Sequence, residues 1–116
     1  MTLFFARAVV AFALVLKVVN ACATTYYVAP PPVGNDFGGH TGLSEIQAFA
    51  TIQHAAGLTN AGDTVLVRSG TYTNPSPQSD VVNISRSGTA NGWITYANYP
   101  GERPKLQYNG WDGFRV

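Results

Sequence analysis

The sequence has little charge. Asp, Glu, Lys and Arg make up 11% of its 116 residues, seven cations against six anions. No basic stripe is present, so a phosphate backbone finds no electrostatic footprint, which disfavours nucleic-acid binding. Cysteine is nearly absent. Cys22 is the only one, so no disulfide framework is available. A small extracellular domain without such staples must bury its core by other means. Histidine is scarce as well. His40 and His54 stand fourteen residues apart, too far along the chain for a zinc pair on one helical face. The apolar run near the N-terminus is interrupted by Lys17, short of the ~20 residues that a membrane span needs.

What the N-terminus does contain reads as a secretory signal. Arg7 precedes the apolar stretch Ala8 to Leu16, and Ala21-Cys22-Ala23 offers small residues at the positions read by a signal peptidase. Residues 1–23 are therefore expected to be removed, and the mature protein to be secreted. Two competing readings are a retained anchor and a lipoprotein acylated on Cys22, for which Asn20 is an awkward neighbour. Without residues 1–23, five cations (Arg68, Arg86, Arg103, Lys105, Arg115) face six anions (Asp36, Glu45, Asp63, Asp80, Glu102, Asp112), a net charge of −1.

The rest of the chain changes period several times. Thr24 to Ala29 is β-branched and aromatic and predicts a strand, ended by Pro30-Pro31-Pro32. A Gly-rich loop follows over 34–42. Phe49, Ile52, Ala55, Ala56 and Thr59 fall at helical spacing and predict one amphipathic helix. Thr51 is the expected N-cap. Ser44 with Gln47 is a competing capping box. Gly62 is the expected helix stop. Period two then takes over. Val65 and Val67 share one face of a strand, and Asp63 is placed to cap the turn before it. Gly70-Thr71-Tyr72 reads as a turn. Further strands are expected at 81–85, 93–99, 105–108 and from 114. Evenly spaced short strands suit a sandwich, a barrel or a solenoid. Most of the joints are Gly and Pro corners rather than hairpin signals, which favours a parallel coil. A small β-sandwich is the competing fold.

One ordered set of segments is more specific. Tyr26-Tyr27-Val28, Gly34-Asn35-Asp36, Phe49 to Ala56, Gly62-Asp63-Thr64-Val65-Leu66-Val67-Arg68-Ser69-Gly70-Thr71-Tyr72 and Trp93 to Pro104 together resemble the N-terminal end of secreted right-handed parallel β-helix proteins of the pectate-lyase superfamily. Ala61 departs from that pattern where the family often has Pro, Gly57 sits inside the helix, and Pro30-Pro31-Pro32 lengthens the first loop. The resemblance implies a mainly β solenoid. Residues 24–62 would give the first strand, a loop and a cap helix, and residues 63–116 the first, incomplete coils. It also implies a cap laid over the first coil, with Phe49, Ile52 and Ala56 over Val65 and Val67, because an open solenoid end exposes core and unpaired backbone.

The function implied is that of a polysaccharide lyase acting on a uronate polymer by β-elimination. Calcium would be held on later coils, and polysaccharide would be bound there too. No membrane or nucleic-acid partner is expected of the mature chain. A hydrolase or epimerase on the same scaffold, or a non-enzymatic adhesion protein, are the alternatives. None of the family's catalytic positions maps onto residues 1–116, so no catalytic, cofactor or metal residue is assigned here. Individual candidates have structural readings beside the functional ones. Asn35-Asp36 as calcium donors compete with an Asx-capped turn. Arg68, Arg86, Arg103 and Arg115 as uronate partners compete with a solvated face. Trp93, Tyr108 and Trp111 as sugar platforms compete with aromatics stacked inside the coil. Asn83 heads a glycosylation sequon but sits in mid-strand.

Overall fold

The computed structural model describes residues 22–116. The expected signal segment lies outside the described residues, except for Cys22 and Ala23. The chain is mainly β. Its strands are β1 (Thr25–Val28), β2 (Thr64–Val67), β3 (Gly70–Thr73), β4 (Val82–Asn83), β5 (Thr95–Asn98), β6 (Pro104–Gln107) and β7 (Phe114–Arg115). One short helix, α1 (Ile52–Ala56), lies between β1 and β2, preceded by a 3-10 turn at Glu45–Gln47.

The strands form three open sheets, ordered β1-β2-β5, β3-β6 and β4-β7. Every pair of named strands is parallel. This pairing is not that of an antiparallel sandwich. The register sets Thr64 beside Thr95, Gly70 beside Pro104 and Val82 beside Phe114, offsets of 31, 34 and 32 residues. Successive passages of the chain therefore stack, and each corner is repeated about one passage later.

Alternation decides which side chains go inside. Val65 and Val67 are buried, while Thr64 and Leu66, which alternate with them, are half-exposed. In β3 only Tyr72 is buried. These residues join Val28, Phe49, Ile52, Ala55, Ala56, Val81 and Val82 in one core, with Tyr26, Ile84, Tyr96 and Leu106 packed against it. The placing of Phe49, Ile52 and Ala56 against Val65 and Val67 agrees with the sequence reading.

The N-terminal end of this core is closed by hydrogen bonds as well as by apolar contact. The outer edge of β1 is covered by the segment 42–49. Tyr27 N donates to Gly42 O, Phe49 N to Tyr27 O, and Ala29 N to Phe49 O. The outer edge of β4 is covered by one side chain. Gln53 Oε1 accepts from Asn83 N at 2.7 Å, and Gln53 Nε2 donates to Asn83 O at 3.1 Å. The amide of Gln53 thus stands in for the peptide group of a missing strand. Gln53→Ala is expected to cost about 1–2 kcal/mol, two ordinary hydrogen bonds. That would lower the midpoint of thermal unfolding by ~5–10 °C in a chain of this size. A circular-dichroism melt checks it.

Several expectations are corrected. Phe49 is not on the helix; it sits in an isolated parallel bridge with Val28. Thr51 does cap α1, its hydroxyl accepting from His54 N at 3.2 Å. The helix ends at Ala56 with Gly57 as its C-cap, five residues before the expected stop. Gly57 N donates to Gln53 O, and an exposed glycine there ends so short a helix more readily than it continues it. Gly62 has the left-handed backbone expected of it, φ 93°, but in the turn into β2. Ser44 precedes the 3-10 turn without a side-chain cap bond. Gly70-Thr71-Tyr72 is strand, not turn.

Candidate functional site

The strongest polar cluster gathers where β2 turns into β3. Arg68 leaves the end of β2 and meets Glu102 from the corner one passage later. Arg68 Nη2 lies 2.8 Å and Nε 3.3 Å from the two carboxylate oxygens. Glu102 Oε1 also accepts from Ser69 N at 2.7 Å. On its other side Arg68 Nη1 lies 3.3 Å from Glu45 Oε1, and the guanidinium covers the ring of Tyr99 at 4.8 Å. The forked guanidinium suits this bidentate pairing. Its hydrogen bond with Glu102 raises the pKa of Arg68 and, with the bond from Ser69 N, lowers that of Glu102. Beneath the cluster the hydroxyl of Tyr72 donates to Arg68 O at 2.8 Å.

This arrangement fastens one passage of the chain to the next. With two carboxylates against one guanidinium, it has no spare positive charge for a uronate. A groove of about 490 Å³ runs beside it, lined by Pro30 to Val33, Arg68, Ser69 and Glu102. Sequence reading missed the Arg68–Glu102 pair. The signal was present in the spacing, since 34 residues separate the two, the same offset that pairs β3 with β6. Asn74 with Asn109 and Asp80 with Asp112 repeat the theme. Asn74 Nδ2 donates to Asn109 Oδ1 at 3.1 Å, and Asp112 N donates to Asp80 Oδ1 at 3.2 Å.

Burial pushes the Tyr72 hydroxyl up to about 12, with the charge of Glu102 adding to the effect and Arg68 opposing it. The folded state thus holds the neutral phenol more tightly than the unfolded chain, where it ionises near ~10. The stabilising contribution is whole below pH ~10 and is lost as pH rises from ~10 to 12. Alkaline unfolding that begins near pH 10 in the native chain and is blunted in Tyr72→Phe is the expected result of a fluorescence titration.

The other residues singled out by sequence have local work. Asn35 Oδ1 accepts from Phe37 N and Gly38 N. Asp36 Oδ1 accepts from Ala50 N and Thr51 N, and Asp36 Oδ2 from the Thr51 hydroxyl. This pair builds turns and ties the loop to the start of α1. His40 Nδ1 lies 2.9 Å from Ala48 O. His54 packs against Phe49, ring centroids 4.4 Å apart. Asp63 is buried and accepts from Asn60 N and Thr24 N, each at 2.8 Å, capping its turn as expected and adding a tether to the residue just before β1. Arg86 donates to Thr59 O, and Arg115 stands 3.7 Å from Asp80 and over Trp111. Trp93, Tyr108 and Trp111 are exposed, so they are not the stacked interior aromatics that sequence suggested; Phe49 and Tyr72 occupy the core instead, with Tyr26 and Tyr96 packed against it.

Calcium is the cation that the resembled family implies. It needs six to eight oxygens around it. Among the described residues no three of His, Cys, Asp or Glu stand together to hold a metal ion, and the Asp36 oxygens are already engaged by three donors. The residues present do not fit the ion, and no step is derived through it.

No protein-family model matches the chain, and no curated protein matches it. A solved structure titled rhamnogalacturonan lyase is similar to it, with a TM-score of 0.58 and 25% sequence identity over 78% of this chain and 24% of that one. The chain thus spans about a quarter of that protein's length. The likeness is to a carbohydrate-active lyase fold, and it is partial.

Proposed function

We propose that the chain builds the capped N-terminal coils of a right-handed parallel β-helix, and that this solenoid belongs to a secreted polysaccharide lyase. The observation that carries the reading is the parallel register. Three strand pairs offset by 31 to 34 residues are what a solenoid with one passage per coil requires. The likeness to a rhamnogalacturonan lyase supports an acidic, uronate-containing polysaccharide as the substrate class. Residues 1–23 act as the secretory signal.

The chemistry proposed is β-elimination. A base takes the proton beside the uronate carboxylate, the electron pair forms a double bond, and the glycosidic oxygen leaves. That step needs an unpaired base next to a site for a carboxylate. Arg68 is held by Glu45 and Glu102 and serves neither role. On this reading the reacting groups lie on further coils, and residues 24–116 act as cap and scaffold.

The test is the transcript downstream of the Val116 codon, with its product assayed on rhamnogalacturonan. The reading predicts further passages of similar length carrying clustered carboxylates with a Lys or Arg. It also predicts ultraviolet-absorbing unsaturated uronate from the extended protein and none from residues 24–116. Unsaturated product from residues 24–116 alone, or an extended protein that binds the polymer without cleaving it, contradicts the reading.

A further inference from the structure

Two loops lie one on the other where β3 and β6 end. Residues 74–80 leave β3, and residues 108–113 leave β6 one passage later. They meet closely. Trp111 N donates to Ser79 O at 3.3 Å, and Asp112 N to Asp80 Oδ1 at 3.2 Å. Gly110 permits the approach, since a Cβ on it would collide with Ser79 O and stand 2.9 Å from Asn74 Nδ2. The side chain of Asn74 is locked between the loops. Its Oδ1 accepts from Asn109 N at 3.2 Å, and its Nδ2 donates to Asn109 Oδ1 at 3.1 Å and to Ser76 O.

Beside this locked pair is a cavity of about 220 Å³, lined by Thr73, Asn74, Gln107, Tyr108 and Asn109. Thr73 and Gln107 are register partners and both are exposed, so they stand side by side on the outward face of the sheet. Among the described residues, no side-chain hydrogen bond engages the Thr73 hydroxyl, the Gln107 amide or the Tyr108 hydroxyl. Asn109 spends its Oδ1 on Asn74 and keeps its Nδ2 free to donate. The ring of Tyr108 is steadied against Gly113, where a Cβ would stand 3.4 Å from it, yet Tyr108 remains 54% exposed. Apart from its phenol, the lining holds no acid or base.

We infer that this cavity binds one neutral sugar ring. It is smaller than the ~300–1,000 Å³ of sites for drug-sized ligands, so it admits a single ring rather than a length of polymer. A carboxamide presents donor and acceptor together, and a hydroxyl presents both from one atom. Neighbouring sugar hydroxyls need that mixture. The C–H side of a pyranose is apolar and suits a flat aromatic with a polar tip. A uronate or phosphate would enter without a cation to meet it, and a cationic ligand without a carboxylate. A wholly apolar ligand would strip water from the amides and pair none of them. The Asn74–Asn109 lock sets the cavity before a ligand arrives, so binding has little more to order than Gln107 and Tyr108. The site rests on the polysaccharide reading for the source of the ring, a neutral unit of the polymer, and not on the reaction.

The probe is methyl α-D-galactopyranoside, titrated into the ¹⁵N-labelled full chain. Methyl α-D-galacturonopyranoside, the same ring with a carboxylate, is its comparison. Saturable shifts of the side-chain amides of Gln107 and Asn109 are expected with the neutral glycoside, and binding at least about fivefold weaker with the acidic one, the size of a lost hydrogen bond or two. Gln107→Ala removes an amide that holds nothing in the fold and is expected to weaken binding about fivefold. Tyr108→Ala is expected to weaken it about tenfold, and Tyr108→Phe, which keeps the ring, by no more than about twofold. The backbone spectrum of each variant reports its fold separately. No saturable shift at these amides, equal binding of the two glycosides there, or unchanged affinity in both Gln107→Ala and Tyr108→Ala overturns the site. Unsaturated product from the extended protein without these shifts removes the site alone. The shifts without any such product remove the lyase reading alone.

Discussion

Phe49→Ala is expected to unfold the protein or bring it close to unfolding at room temperature. Phe49 is 2% exposed and is the largest fully buried side chain among the described residues. Its ring lies against Tyr26 and His54, with centroids 6.0 and 4.4 Å away, and fills the space above Gly42, where a Cβ would collide with it. Its backbone also closes the outer edge of β1, accepting from Ala29 N and donating to Tyr27 O. Truncating a buried Phe costs about 3–5 kcal/mol, against a total stability of ~5–15 kcal/mol for a single domain. Chemical denaturation of Phe49→Ala should give a transition displaced by that amount. Phe49→Leu keeps most of the volume and the backbone bonds, and is expected to cost under ~1.5 kcal/mol. Equal stability of the native chain and Phe49→Ala would remove the cap from the account.

Gly70→Ala is the second large effect. Gly70 opens β3 with φ at 146°, a backbone region that side chains rarely enter. A Cβ there would also overlap the ring of Pro30. Backbone strain of ~1–3 kcal/mol then adds to overpacking of ~1–3 kcal/mol, so a loss of about 2–5 kcal/mol is expected. The two causes are separable. Pro30→Ala in the same chain relieves the overlap and leaves the backbone strain, so the double variant is expected to recover part of the loss, a coupling of ~0.5–3 kcal/mol. Urea denaturation of the four chains measures it. Simple additivity would place the cost in the backbone alone.

These two residues also mark where sequence reasoning stopped. Phe49 falls three residues before Ile52, so its spacing fits a helical stripe. The chain instead uses it in an extended bridge, and its ring reaches the same core from outside the helix. Helical periodicity records which side chains go inside, not which backbone carries them. Gly70 follows Ser69 at a corner, and a glycine there suggests a turn. The corner is only Arg68-Ser69, and the glycine is the first residue of the next strand. By contrast, Val65 and Val67 were legible because alternation within one strand is a local property. Thr51 and Asp63 were legible because a capping side chain bonds its own near neighbours.

The polar cluster was not local. Arg68 and Glu102 meet only because successive passages stack, so composition shows two charges while the coil offset shows a pair. The exposure of Trp93, Tyr108 and Trp111 was hidden for the same reason. A large aromatic in a β-rich segment is usually buried, and only the register tells which face it takes.

The central claim is the parallel stacking of successive passages. Interstrand nuclear Overhauser contacts in the labelled chain test it most directly. The account predicts contacts that put Val65 beside Tyr96, Tyr72 beside Leu106 and Val82 beside Phe114, in the parallel pattern, without close pairs of opposed α-protons between these strands. Strong α-proton to α-proton contacts between sequence-adjacent strands, as antiparallel hairpins produce, would contradict it.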